Sequence, residues 1–249
     1  MKPPLRLLDV RFPGRPAYDT AVSRALLTRV AAGAAPETLR LYVPEDVVAF
    51  SVLDRVRPGF AEALRVAREQ GFEAMLRLAG GRAAVFTTQS LAFAWCIPAA
   101  EARRDIAARF DRLARIVREA LSSIGVDARI GAVPGEYCPG EHSVNARGER
   151  KLMGVGQRIV KGAAHVGGVI VVRQPERVAR VLEPIYAAME LPLDNAATGA
   201  VDQELPGVGL AEVRDALLRR FAREAEIHRT EPDAELLALA ETVECEHQL

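Results

Sequence analysis

Four short apolar segments crowd into the stretch between Gly125 and Pro175, at residues 128–130, 143–146, 151–155 and 165–172, joined mostly by short turns. Parallel neighbours in a sheet need crossover connections of a dozen or more residues, usually a helix, whereas antiparallel neighbours can be joined by tight turns. The segments therefore predict a mainly antiparallel sheet. The first half of the chain carries the same signature. Residues 39–43 and 47–53 read as strands parted by Pro44-Glu45-Asp46, and strand character returns at 74–78, 83–86 and 91–97.

Helical periodicity does not alternate regularly with these runs. Val22, Leu26 and Val30 share one face of a helix over residues 19–32. Pro58-Gly59 opens a second, which carries Phe60, Leu64 and Ala67 and ends near Gly71. The clearest lies within 101–124, where Ile106, Phe110, Leu113, Val117 and Leu121 recur at three- and four-residue steps and Gly125 closes the pattern. Beyond Pro175 helices dominate, at about 176–189, 210–225 and 233–244. The expected fold is α+β, a central mainly antiparallel sheet flanked by helices. With 249 residues and no repeat or Ser/Gly linker, one domain is expected over 1–249, helical from about 175.

Thirty-three basic residues balance thirty-three acidic ones, which removes any bulk attraction to nucleic acid or to an anionic membrane. No stretch approaches the ~20 apolar residues that span a bilayer. The first residues lack the pattern of a secretory signal, so a cytoplasmic location is expected. Cys96, Cys138 and Cys245 are an odd set without a CxxC pair, which argues against a disulfide framework and leaves a thiol free for chemistry. His142, His165, His228 and His247 show no i, i+4 pairing, and no metal site is expected.

Two segments carry chemistry. In the run from Arg77 to Phe86, Gly80-Gly81 lets the backbone turn and approach a ligand, while Arg77 and Arg82 flank the turn and could hold an anion. The same pattern also suits a glycine hairpin with two solvated arginines. In the run from Glu136 to Gly154, a turn at Arg147-Gly148-Glu149 places Lys151 near the start of a strand, beside Gly154 and Gly156. A lysine there could point into a cleft and polarise a carbonyl, or could simply lie on the surface of a hairpin.

Taken in order, the segments resemble one family. Arg77-Leu78-Ala79-Gly80-Gly81-Arg82-Ala83 is similar to the substrate-binding glycine motif of lipoate–protein ligases and octanoyltransferases. Lys151-Leu152-Met153-Gly154-Val155-Gly156-Gln157-Arg158 resembles that family's segment around its central catalytic lysine, and His165-Val166-Gly167-Gly168 its following His-Gly strand. Residues 21–27 and 36–42 resemble its opening helix and first strand, so the likeness covers roughly 18–172. It implies a fold shared with biotin–protein ligases and transfer of an octanoyl or lipoyl group to a lysine of a carrier domain. By the same resemblance Lys151 and Cys138 are catalytic, and Arg77, Gly80, Gly81, Arg82, Gly154 and His165 bind substrate. Cys138 would carry the acyl group as a thioester, as in one branch of the superfamily; otherwise it is a packed loop thiol. His142 is a base candidate or a solvated loop residue, and Asn145 a ligand-facing one. Departures from the family pattern fall at Phe86, where relatives often carry His, at Ser23-Arg24 in place of an acidic pair, and at Gly154-Val155-Gly156-Gln157.

Three functions follow from the resemblance. The first is an acyltransferase acting on a lipoyl domain or a glycine-cleavage H-type protein, with an acyl carrier protein as a further partner. It needs no cofactor beyond its octanoate or lipoate substrate, and the chain's length favours it. The second is a lipoate–protein ligase that uses ATP and Mg²⁺ through an acyl-adenylate. The third is a non-catalytic module that binds the acyl or adenylate group. Nucleic acid and membrane are not expected partners.

Overall fold

Residues 1–249 are all described by a computed structural model. In chain order the elements are β1 (Pro4–Leu8), α1 (Pro16–Ala31), β2 (Thr38–Tyr42), β3 (Val47–Phe50), α2 (Val52–Arg55), α3 (Phe60–Glu69), β4 (Glu73–Leu76), β5 (Ala84–Phe86), β6 (Ser90–Ala99) and α4 (Ile106–Ser122). They continue with β7 (Ala128–Ile130), β8 (Val144–Ala146), β9 (Arg150–Val160), β10 (Gly162–Val171), α5 (Pro175–Ala188), α6 (Val201–Glu204), α7 (Leu210–Phe221), β11 (Glu226–Thr230) and α8 (Ala234–Val243). Eight strands form one sheet in the order β11-β1-β2-β6-β10-β9-β8-β7, and β4-β3-β5 form a second. The long strands β6, β10 and β9 lie antiparallel at the centre of the large sheet, as the short connections require.

Both faces of the large sheet are covered. On β6, Trp95 is buried against Phe221 of α7 while its neighbour Cys96 is buried in the cluster of α1 residues Val22, Leu26 and Val30. Successive side chains of a strand point to opposite faces, so a strand that is apolar at consecutive positions must be sandwiched. The three α1 residues expected to share a face do so. The small sheet, α3 and α5 enclose a third cluster around Phe50, Val85, Leu182 and Ile185.

The structure corrects the sequence reading in three places. The strand expected over 47–53 stops at Phe50, because Ser51 and Asp54 exchange hydrogen bonds as a capping box and start α2. Gly80-Gly81 is not the turn of a hairpin: β4 and β5 each pair with β3 and not with one another, so 77–83 is a loop crossing that strand. The C-terminal part is not wholly helical. It contains β11, which pairs in parallel with β1, and β1 pairs in parallel with β2. Neither β1 nor β11 shows in the sequence, since five-residue segments carry little periodicity. No helix is long and apolar enough to cross a membrane.

Candidate active site

Lys151 is the second residue of β9, after a turn in which Arg147 and Gly148 both take positive φ. Asn145 builds that turn: its carbonyl accepts from the Gly148 N–H at 2.8 Å and its amide donates to the Gly131 carbonyl at 2.9 Å. Both ends of Asn145 are therefore engaged by backbone, which accounts for the residue without a ligand. The turn sends the Lys151 side chain inward, where the residue is 0% exposed. Its ammonium donates to Glu136 Oε1 at 3.1 Å and to the Tyr137 and Cys138 carbonyls at 2.8 Å each. It also lies 4.7 Å from the centre of the Tyr137 ring. Burial pushes the Lys151 pKa down from the ordinary lysine value, and the Glu136 carboxylate opposes that shift. All three N–H groups of the ammonium are taken by the protein, so Lys151 pins the loop that bears Cys138.

Glu136 is the anchor on the other side. Its carboxylate also accepts from Ser143 Oγ at 2.7 Å and from the N–H groups of Gly140 and Val133 at 3.0 Å. Four donors thus converge on one buried carboxylate and fix its position beside Lys151. Sequence reasoning passed over Glu136, although it stands two residues before Cys138, because only the folded loop turns it toward Lys151.

Cys138 has φ +43°, in the left-handed region that costs a non-glycine residue about 1–3 kcal/mol. The conformation is held from both sides: the Cys138 N–H donates to Tyr186 Oη at 2.8 Å, and its carbonyl accepts from Lys151. Tyr186 on α5 in turn donates to the Ala83 carbonyl at 2.9 Å, tying the cysteine loop to the glycine loop. No local pattern marks Tyr186, which is 48 residues away from Cys138. The sulfur accepts the Arg82 N–H at 3.1 Å, and Arg77 Nη1 approaches it at 3.8 Å. Arg77 is itself fixed by donation to the Arg82 carbonyl at 2.9 Å.

The glycines are what allow this packing. A Cβ on Gly81, whose φ is +114°, would meet the Cys138 sulfur at 2.7 Å. A Cβ on Gly156 would meet Arg77 Nη2 at 3.1 Å, and one on Gly154 would meet Lys151 Cε at 3.2 Å. Gly80 faces open space and lines a cleft with Cys138, Pro139 and Phe110.

Inward of the sulfur, Arg77, Phe86, Tyr137, Cys138, Lys151 and Gly168 line a small, narrow cavity. Arg77, Phe86 and Gly168 also line a second, narrow and mainly apolar pocket that runs on to Tyr42, Met75 and Phe93. His165 forms part of its wall; burial and the nearby Arg77 push its pKa down to about 4, so the ring is neutral near pH 7. Phe86 and Ser23, two of the departures from the family pattern, line the same pocket. Thus the residues singled out in the sequence converge: Arg77, Gly81, Arg82, Gly154, Lys151 and Cys138 around the sulfur, His165 along the pocket. Arg82 turns its side chain away, donating to the Leu53 carbonyl and lying 3.6 Å from Asp54. His142 shares the outer cleft with Cys138 but pairs with Asp111 at 3.0 Å and stacks on Phe110. Cys96 is fully buried and its thiol pKa is raised by burial, as an inert core position requires. No group of three or more His, Cys, Asp or Glu side chains converges as a metal site would need.

The family described as the lipoyl protein ligase A/B catalytic domain matches residues 15–222. Over 169 residues the chain is 28% identical to an octanoyl-GcvH:protein N-octanoyltransferase of Geobacillus kaustophilus, a match covering 66% of this chain and 59% of that protein. It is 27% identical over 154 residues to a lipoyl-GcvH:protein N-lipoyltransferase of Listeria monocytogenes, covering 60% and 55% respectively. The chain thus spans less than two thirds of the length of the curated relatives it matches. Among solved structures, a lipoate-protein ligase A bound with ATP superposes with a TM-score of 0.78 at 22% identity, covering 99% of this chain and 95% of that one. A bi-partite lipoate protein ligase of Thermoplasma acidophilum does so with a TM-score of 0.74 at 21% identity, covering 99% and 93%. These two share the fold: the large, mainly antiparallel sheet with helices on both faces.

Proposed function

This chain belongs to the lipoyl protein ligase A/B catalytic-domain family, and on that premise we propose that it is a thiol-dependent acyltransferase. It moves an octanoyl or lipoyl group onto a lysine of a lipoyl carrier domain, by way of a thioester on Cys138. The donor is an acylated carrier: a glycine-cleavage H-type protein, which the names of its relatives point to, or an acyl carrier protein. The observation that carries this reading is the Cys138 sulfur, held in a strained loop by the Arg82 N–H with the Arg77 guanidinium beside it, at the head of an apolar pocket. A guanidinium and a backbone N–H at the sulfur fix it at one point beside the pocket, where a covalent nucleophile must stand.

The thiolate attacks the acyl carbonyl, the bond from that carbon to the donor's sulfur or nitrogen breaks, and the donor leaves with a proton. The amine of the acceptor lysine then attacks the thioester, loses a proton, and releases the thiolate. Arg77 faces the negative charge that develops on the carbonyl oxygen in both steps. Lys151 contributes its charge and holds the loop, and it can donate to the substrate only by releasing one of its three acceptors, Glu136 or the Tyr137 or Cys138 carbonyl. Gly81 and Gly154 leave room for the reacting carbon, while Phe86, Tyr42 and Phe93 surround the aliphatic chain.

The test is the intact mass of a lipoyl-domain acceptor incubated with this protein and an octanoylated carrier, without ATP. A gain of one octanoyl group, absent with Cys138→Ser, is the expected result. Modification that requires free acid, ATP and Mg²⁺ and survives Cys138→Ser would replace this reading with the ligase. Binding of acyl ligand without modification under either condition would replace it with a binding module.

A further inference from the structure

With its tail in the apolar pocket, an acyl group joined to Cys138 holds its carbonyl oxygen close to the sulfur, inside the narrow cavity inward of it. The polar side chains that line this cavity are Arg77, Tyr137, Cys138 and Lys151. Cys138 is the nucleophile, and the ammonium of Lys151 is already taken up by Glu136 and the Tyr137 and Cys138 carbonyls. Arg77 Nη1 is committed to the Arg82 carbonyl and lies beside the sulfur. The Tyr137 hydroxyl is the group left over.

Tyr137 is 1% exposed, and its Oη is buried without a hydrogen-bond partner. A buried phenol normally finds one. Tyr186, which also meets the cysteine loop, shows the ordinary case: its hydroxyl accepts the Cys138 N–H at 2.8 Å and donates to the Ala83 carbonyl at 2.9 Å. Tyr186 therefore holds the loop, whereas the Tyr137 hydroxyl holds nothing in the fold. The Tyr137 ring is itself fixed, with the Lys151 ammonium 4.7 Å from its centre and bonded to its backbone carbonyl. Successive side chains of an extended chain point to opposite sides. The positive φ of Cys138 breaks that alternation, and Tyr137 and Cys138 line the same cavity. Burial pushes the Tyr137 pKa above the ordinary tyrosine value, so the phenol keeps its proton and remains a donor.

The geometry points to Tyr137 as a catalytic residue: its unpartnered hydroxyl donates to the acyl carbonyl oxygen as that oxygen becomes an anion. The inference rests on the thioester reading and gives it a second donor beside Arg77. As the Cys138 sulfur bonds to the carbonyl carbon, the π pair of the carbonyl moves onto oxygen and the hydrogen bond from Tyr137 strengthens. When the carbonyl re-forms, the leaving group departs with the electron pair of the bond that breaks, and the proton stays on the phenol. The same contact serves again when the acceptor amine attacks the thioester. An interaction that strengthens only in the transition state raises the rate without tightening substrate binding.

Tyr137→Phe removes the hydroxyl alone. Because that group bonds to nothing in the fold, the urea midpoint of the variant should equal or exceed that of the wild type. The kinetic probe is p-nitrophenyl octanoate, which releases nitrophenolate as Cys138 is acylated, with Cys138→Ser as background. The maximal acylation rate should fall about a hundredfold in Tyr137→Phe, with the half-saturating ester concentration unchanged. An unchanged rate overturns the proposal and leaves the Cys138 thioester in place. A rate loss accompanied by a lowered urea midpoint also overturns it, since the hydroxyl would then serve the fold. So does a raised half-saturation at an unchanged maximal rate, which would make Tyr137 a ground-state contact only. If the wild type releases no more nitrophenolate than Cys138→Ser, the thioester reading fails and this proposal falls with it.

Discussion

A methyl group on Gly81 would stand 2.7 Å from the sulfur of Cys138, although the two residues belong to separate loops far apart in the chain. The glycine loop and the cysteine loop are therefore two halves of one cradle. Arg82 N–H and Tyr186 Oη stitch them together from either side of the sulfur. Gly81→Ala should displace the sulfur and strain a backbone whose φ is +114°, at a cost of about 1–3 kcal/mol. Gly80→Ala, which adds a methyl into open space, should cost much less. Chemical denaturation of the two variants checks this, and equal losses would show that the contact with Cys138 is immaterial.

Cys138→Ser should lower acyl transfer about a thousandfold or more, in line with the loss of a covalent nucleophile elsewhere. Wild-type protein mixed with acylated carrier and no acceptor should show one acyl adduct by intact mass, labile to hydroxylamine. Cys96→Ser should retain that adduct, because Cys96 is sealed in the core behind α1. An adduct that persists in Cys138→Ser would assign the chemistry to another residue.

Removing one partner of a buried ion pair typically costs about 3–5 kcal/mol, because the other charge is left in a poor solvent. Lys151→Met should fall near the lower end, about 3 kcal/mol, since Glu136 keeps its bonds to Ser143, Gly140 and Val133. Adding Glu136→Gln should recover part of the loss. A double-mutant cycle from urea titrations measures the coupling, and strictly additive effects would contradict a direct Lys151–Glu136 interaction.

His165 supplies a pH-dependent contribution of definite sign. Its pKa is lowered from 6.5 in the unfolded chain to about 4 in the fold, so between those values the unfolded state binds more protons. Stability contributed by the neutral ring is complete above pH 6.5 and is lost as the pH falls toward 4, to the extent of about 3 kcal/mol. His247, also held below its ordinary value by burial, acts in the same direction. Thermal unfolding between pH 4 and 7 should show a shallower slope for His165→Gln than for the wild type; identical slopes would mean that His165 is already solvated in the native protein.

Much of this protein can be read along the chain because the information is local. The spacing of Val22, Leu26 and Val30 dictates the buried face of α1, and the short connections between apolar runs dictate antiparallel pairing in the centre of the sheet. The ordered motifs at Arg77–Ala83 and Lys151–Arg158 name the family for the same reason. Other features arise only when distant segments meet. Strands β1 and β11 are defined by each other across more than two hundred residues, and so carry no periodicity of their own. The sequence places Lys151 near Gly154 but leaves open a surface lysine; folding buries it and supplies Glu136, Tyr137 and Cys138 as its acceptors. Tyr186, the residue that ties the two loops, has no signal at all in its helix. Hydrogen bonds that span loops depend on where backbone groups arrive in space, and that arrangement exists only once the sheet has set the positions of both loops.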